Sequence, residues 1–123
     1  MHSDSHTQTF VVEPHDCISL LDPTLPDLLG TYILVKWMEI TAATQLTELI
    51  DPDRISVGAH VDIQHTGMAK LDDTVMITSR LITHDKKHAT FSIEARHDNK
   101  VIATATHLRT IVPKKLLDRI IRS

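Results

Sequence analysis

Between Gly30 and Ile50 the chain reads GTYILVKWMEITAATQLTELI, and apolar side chains fill most of a helical projection until the last turns. Tyr32, Ile33, Leu34, Val35, Trp37, Met38, Ile40, Ala42 and Ala43 leave no wide polar stripe, a pattern that predicts a largely buried helix of about five turns. It starts near Gly30 or Thr31 and stops at Asp51-Pro52, because a proline ring disfavours helix in the residue before it. One carboxylate, Glu39, interrupts the apolar run. Buried as a bare charge it would cost many kcal/mol, so it must be paired, hydrogen-bonded or protonated.

After the helix the period changes from 3.6 to 2. In SVGAHVDIQH, residues 56–65, Val57, Ala59, Val61, Ile63 and His65 share one face of a strand, and Gly58, His60, Asp62 and Gln64 the other. Residues 74–83, 89–96 and 101–112 read as three more strands joined by the turns HDKKH and HDNK, with Phe91, Ile93 and Ala95 facing in. Ahead of the helix, Thr9 to Glu13 forms a short strand ended by Pro14, and residues 15–29 form an ordered cover broken by Pro23 and Pro26. Residues 1–8 read as a flexible polar leader, leaving 9–123 as a single domain. The tail KKLLDRIIRS is a short helix whose Leu116, Leu117, Ile120 and Ile121 are expected to pack back on the body.

The order is thus strand, long helix, then four antiparallel strands in a meander: an α+β domain with one sheet against one helix. Such a sheet leaves edges and a face uncovered, and a two-fold homodimer is the simplest remedy. Composition adds little to this picture. A hydrophobic fraction of 41% and a charged fraction of 24% are ordinary, whereas 3% aromatic residues imply an aliphatic core. The net charge of −3 offers nucleic acid no basic surface, yet residues 61–123 hold eleven of the thirteen Lys and Arg, an excess suited to an anionic ligand such as a nucleotide phosphate or to a solvated strand surface. One cysteine, no apolar start and no long apolar run point to a cytoplasmic protein outside the membrane.

Particular residues carry the sequence further. A Thr opens the helix at Thr31, Met38-Glu39 follows eight residues on, Val57-Gly58 begins the next strand, and His65 lies seven beyond that glycine; the last strand ends THLR before TIVP, with His107 and Arg109. In these spacings the chain resembles the fluoroacetyl-CoA thioesterase family of the hotdog superfamily, over about residues 10–112. The resemblance implies a curled antiparallel sheet wrapped round one central helix, a dimer or dimer of dimers, and hydrolysis of an acyl-CoA by Thr31, Glu39 and His65, with Gly58, Val57 and Tyr32 at the substrate. No cofactor is implied, CoA being part of the substrate. Two departures stand out: Asp22 to Leu29 lacks the family's aromatic lid residues, and TGMAKLDD follows His65 where the family has a segment close to AATPVG. Both bear on the acyl group rather than on the hydrolytic set.

The chemistry is consistent with that set. Thioester hydrolysis needs an activated hydroxyl or water, a base for its proton and donors for the oxyanion. His65 suits the base, Glu39 can orient it or activate the nucleophile, Thr31 supplies a hydroxyl, and Gly58 lets a carbonyl approach the backbone N–H. Each residue also has a structural reading: Thr31 as an N-cap, Glu39 paired with His65 or with Lys36, Gly58 as a bulge, His65 as a satisfied core histidine. A metal is not expected, since His60 and His65 point to opposite faces and no HxH, HExxH or CxxC occurs. Asp62 and His65, the spacing of a hydratase pair, also face opposite ways. Cys17 has only a disordered-looking neighbourhood in its favour as a nucleophile. Arg80, Lys86, Lys87, Arg96 and Lys100 are candidates for the CoA phosphates, and Tyr32, Trp37 and Met38 favour a short acyl chain.

Overall fold

The alternating segments form five antiparallel strands in the computed structural model, which describes residues 4–123. They are β1 (Ser5–Val11), β2 (Arg54–His65), β3 (Thr74–His84), β4 (His88–His97) and β5 (Lys100–Pro113), with helix α1 (Thr31–Thr47) between β1 and β2 and helix α2 (Lys114–Arg122) at the end. The sheet order is β1-β3-β4-β5-β2. Only β3, β4 and β5 form the expected meander. β2 lies at the far edge beside β5, so both edges are filled by strands that flank the helix in sequence. This is the curled single sheet with one long helix of a hotdog fold.

The β4–β5 connection shows how locally the hairpins are encoded. Asp98 and Asn99 both take positive φ, 48° and 63°, the pair of left-handed residues that a two-residue turn matched to strand twist requires. On β3 to β5 the inward positions, among them Val75, Ile77, Phe91, Ile93, Ala95, Ala103 and Ala105, are buried, and Leu34, Met38, Ala42 and Leu46 of α1 meet them. Full burial of each large member contributes about 1.5–3 kcal/mol. Phe10 stacks on Trp37 at 4.8 Å between ring centroids, tying β1 to the helix.

Several expectations change. β1 begins at Ser5, so the second half of the expected leader pairs with β3, Ser5 opposite Arg80 and Gln8 opposite Ile77; residues 1–3 lie outside the described residues. The helix ends at Thr47, three residues early, and is not buried all round. Its buried positions recur as Ile33, Leu34, Trp37, Met38, Thr41, Ala42, Gln45 and Leu46, whereas Tyr32 is 44% and Ile40 38% exposed, because the one sheet covers only one side. α2 stands off the body, with Ile121 80% and Ile120 59% exposed. Cys17 is not in a disordered stretch: it is fully buried in the ordered cover, bridges Leu29, and its thiol donates to the Glu13 carbonyl.

Candidate active site

Thr31 is the first residue of α1, and the N-cap is Gly30, in extended conformation with no side chain to spend on the helix end. The cover holds this start in place: Gly30 N–H donates to the Asp16 carbonyl and Leu29 N–H to that of Ala69. With the cap supplied by Gly30, the Thr31 hydroxyl turns to His65, and its Oγ1 lies 2.8 Å from Nδ1. His65 closes β2 opposite Ala103, and the following Thr66 and Gly67 N–H groups both donate to the Ile102 carbonyl, which fixes the strand end. The other ring nitrogen, Nε2, is buried and has no partner among the described residues. The pair is therefore a hydroxyl and an imidazole in proton-transfer contact, with one ring nitrogen left over.

Glu39 comes in from the middle of the helix. Its carboxylate faces neither Lys36 nor His65: Oε1 lies 3.6 Å from Arg109 Nη1. The Arg109 side chain is 7% exposed and the Glu39 side chain 40%, so the cation is the buried member, and the expectation of a buried carboxylate is corrected. Arg109 is held on every side. Nε donates to Ser56 Oγ at 2.9 Å, Nη2 to the Ser56 carbonyl at 3.1 Å, and Nη1 to His107 Nε2 at 3.1 Å. An always-charged donor on Nε2 leaves His107 to donate from Nδ1, and the His60 carbonyl is 2.8 Å away. Burial holds the His107 pKa below its usual value, and the Arg109 charge adds to the effect against the pull of the His60 bond and of Glu39. Burial likewise lowers that of Arg109, and Glu39 opposes it.

Strand β2 sets where Gly58 sits. The register against β5 shifts between Gly58 and His60: Gly58 pairs with Arg109, His60 with Leu108, and Ala59 is the extra residue. The alternation from Val57 through His65 is thereby broken. Ser56 and Gly58, opposite inward Ile111 and Arg109, share the helix-facing side with Val61, Ile63 and His65, and Val57 falls on the other side. A Cβ built at Gly58 would lie 2.0 Å from Glu39 Oε1 and 3.4 Å from His107 Cε1. Gly58 is thus beside the bulge and within the site at once.

Of the expected residues, Thr31 and His65 touch, Glu39 and Gly58 touch, and Tyr32 lies exposed beside Thr31 with its ring folded over Gly30. Val57, on the far face and 40% exposed, is outside the site of its own chain. The sequence reading did not pair Arg109 and His107 with Glu39, although both fall on inward positions of β5 between Ala105 and Ile111. Among the described residues, one group has metal-ligand atoms within 4.8 Å of one another, Glu13, His15 and Asp16 on the cover. Both oxygens of Asp16 are already engaged there, by the Glu13 N–H and by the His15 ring.

The sequence profile of the family described as FlK, fluoroacetyl-CoA-specific thioesterase, matches residues 12–115. No curated protein sequence matches the chain. Among solved structures, that of the fluoroacetyl-CoA thioesterase FlK superposes with a TM-score of 0.88 at 22% identity, covering 99% of this chain and 95% of that one. A threonine-to-serine mutant of FlK in complex with acetyl-CoA gives 0.88 at 21%, covering 99% and 96%. A hypothetical protein of Thermus thermophilus, described as a thioesterase superfamily member, gives 0.89 at 19%, covering 99% and 90%.

Proposed function

Because the chain belongs to the fluoroacetyl-CoA-specific thioesterase family, hydrolases of acyl-CoA thioesters, we propose that it cleaves a short-chain acyl-CoA with Thr31, Glu39 and His65 as its reacting groups. The observation that carries this reading is the 2.8 Å contact of Thr31 Oγ1 with His65 Nδ1. His65 accepts the Thr31 proton as the hydroxyl oxygen attacks the thioester carbonyl, and the imidazolium then protonates the departing CoA thiolate. The acyl-threonine ester is opened by water, whose proton returns through His65. Glu39, oriented by Arg109 and seated in the space that a side chain at Gly58 would fill, stands eight helical residues, about 12 Å, from Thr31 in its own chain, so in a dimer it aligns that water from across the interface.

The acyl group is small and need not be fluorinated, since Asp22 to Leu29 carries no aromatic ring to read fluorine. Thr31 and Glu39 open to solvent within one chain, β2 presents a twelve-residue edge, and Tyr32, Ile40 and Val57 expose apolar surface around it. These features support a homodimer that covers the site. Light scattering at micromolar concentration tests it, and a monomer would remove this part of the reading.

The enzymatic reading is tested by free-thiol release from short-, medium- and branched-chain and aryl acyl-CoAs, with His65→Ala as control. Release by the wild type alone supports it and identifies the acyl class. Binding of CoA esters without release, read as a thermal shift, would replace it with a non-catalytic acyl-CoA binding module.

A further inference from the structure

Helix α1 and strand β2 form the two walls of a furrow that leaves the site. Glu39, Ala43 and Thr47 lie four residues apart on one stripe of the helix, and Gly58, Ser56 and Arg54 share the helix-facing side of the strand because the bulge lies beyond them, at Ala59. At one end Glu39 Oε1 rests against Gly58. Towards the other a cleft of about 580 Å3 opens, with Ala43, Ile50 and Ile55 as apolar walls, Ser56 at its inner end, and Arg54 and Lys114 among its lining. Eight helical residues and four strand residues each span about 12–13 Å, a distance of the order of an extended pantetheine arm.

The cations are available. Arg54 makes one long side-chain bond, Nη1 to the Lys86 carbonyl at 3.5 Å, and among the described residues neither Arg54 nor Lys114 has a carboxylate within ion-pair distance. Asp51 shares the cleft as the opposing charge. The cations suggested by the sequence are less well placed: Arg80 and Arg96 stand on the outer face of the sheet, and Lys100 is at the β4–β5 turn. Lys86 alone among them lines a cleft with Arg54, an adjoining one of about 370 Å3.

We infer that this furrow seats the pantetheine arm of the acyl-CoA, with its apolar walls along the arm and with Arg54 and Lys114 on the phosphates. The identity of the ligand rests on the thioesterase reading; the shape and charge of the furrow do not. A phosphate that loses one charge-assisted donor loses about tenfold or more in affinity.

Calorimetry with the full chain tests this, using free CoA and pantetheine as probes. Arg54→Ala and Lys114→Ala are each expected to weaken CoA binding about tenfold and to leave pantetheine, which has no phosphate, unaffected, whereas Asp51→Asn tightens CoA and Lys100→Ala changes nothing. CoA binding as tight as wild type in both alanine variants overturns the inference, as does an equal loss of CoA and pantetheine. Thiol release distinguishes the two readings. Hydrolysis with no effect of Arg54 or Lys114 on CoA affinity leaves the thioesterase without this seat; the binding pattern without hydrolysis leaves the seat without the thioesterase.

Discussion

Glu39 Oε1 occupies the space that a side chain at residue 58 would fill, 2.0 Å from where its Cβ would stand. A carboxylate on the helix and a bare Cα on the strand therefore fit as a pair. Gly58→Ala must push the carboxylate aside, and because Glu39 is long and half-exposed the chain can yield at a cost of about 1 kcal/mol. The expected result is a fall in kcat/KM of at least about tenfold with a drop in Tm of only a few degrees. Alanine with full activity would mean that the carboxylate's position is immaterial.

The Thr31–His65 contact is expected to carry most of the rate. Thr31→Ala and His65→Ala should each lower kcat by about 100- to 10,000-fold. Thr31→Ser keeps a hydroxyl and is expected to retain much of it. A serine variant as poor as alanine would indicate that the methyl group, not the hydroxyl, is what the site needs. Steady-state kinetics with circular dichroism as the fold check decides between them.

Glu39→Gln removes the charge and keeps the shape. Since the Glu39 side chain is 40% exposed, the pair with Arg109 contributes at most about 1 kcal/mol, and the melting temperature should hardly move. Turnover is expected to fall by most of its value. Unchanged kcat/KM would take Glu39 out of the mechanism. Arg109→Lys, by contrast, cannot supply the fork that meets Ser56 twice and His107 once, and is expected to lower stability by about 1–3 kcal/mol.

His107 gives stability a pH dependence of known sign. Burial holds its folded-state pKa below the ordinary value near 6.5, so between the two values the unfolded chain binds the extra proton. The contribution is complete above about pH 6.5 and is lost as pH falls through the folded-state value. Tm should therefore be lower at pH 5.5 than at 7.5, and His107→Gln should flatten part of that slope. An unaltered slope in the variant would assign the effect to other groups. A second loss is expected below about pH 3.8, where Asp22, Asp73 and Asp85, held low chiefly by hydrogen bonds from Thr24, Lys70 and Lys87 respectively, take up protons.

Much of the fold was legible because local rules and tertiary structure agree. The alternation of β4, that of β3 and β5 up to their bulges at Ile82 and Ile102, the positive-φ Asp98-Asn99 turn and the apolar density of α1 all survive folding. What failed depended on partners that no window of sequence contains. Tyr32 and Ile40 look buried on a helical wheel, yet a single sheet can cover only one side of α1. Ser5 to Gln8 look like a free leader, yet β3 offers them an open edge. In the site, the spacing of Thr31, Glu39, Gly58 and His65 was readable, whereas the partner of Glu39 was not, since Arg109 lies seventy residues away and reaches it only through strand pairing.

Ala59 is the extra residue between Gly58 and His60. The bulge there makes the phase of β2 part of the chemistry. Were Ala59 paired regularly with Arg109 instead, with His65 kept in register, Ser56 and Gly58 would turn to the solvent side and Val57 would come against Glu39, without altering any side chain of the catalytic set. For a chain like this one, the place of a bulge in a strand decides the site as much as the side chains that the strand carries.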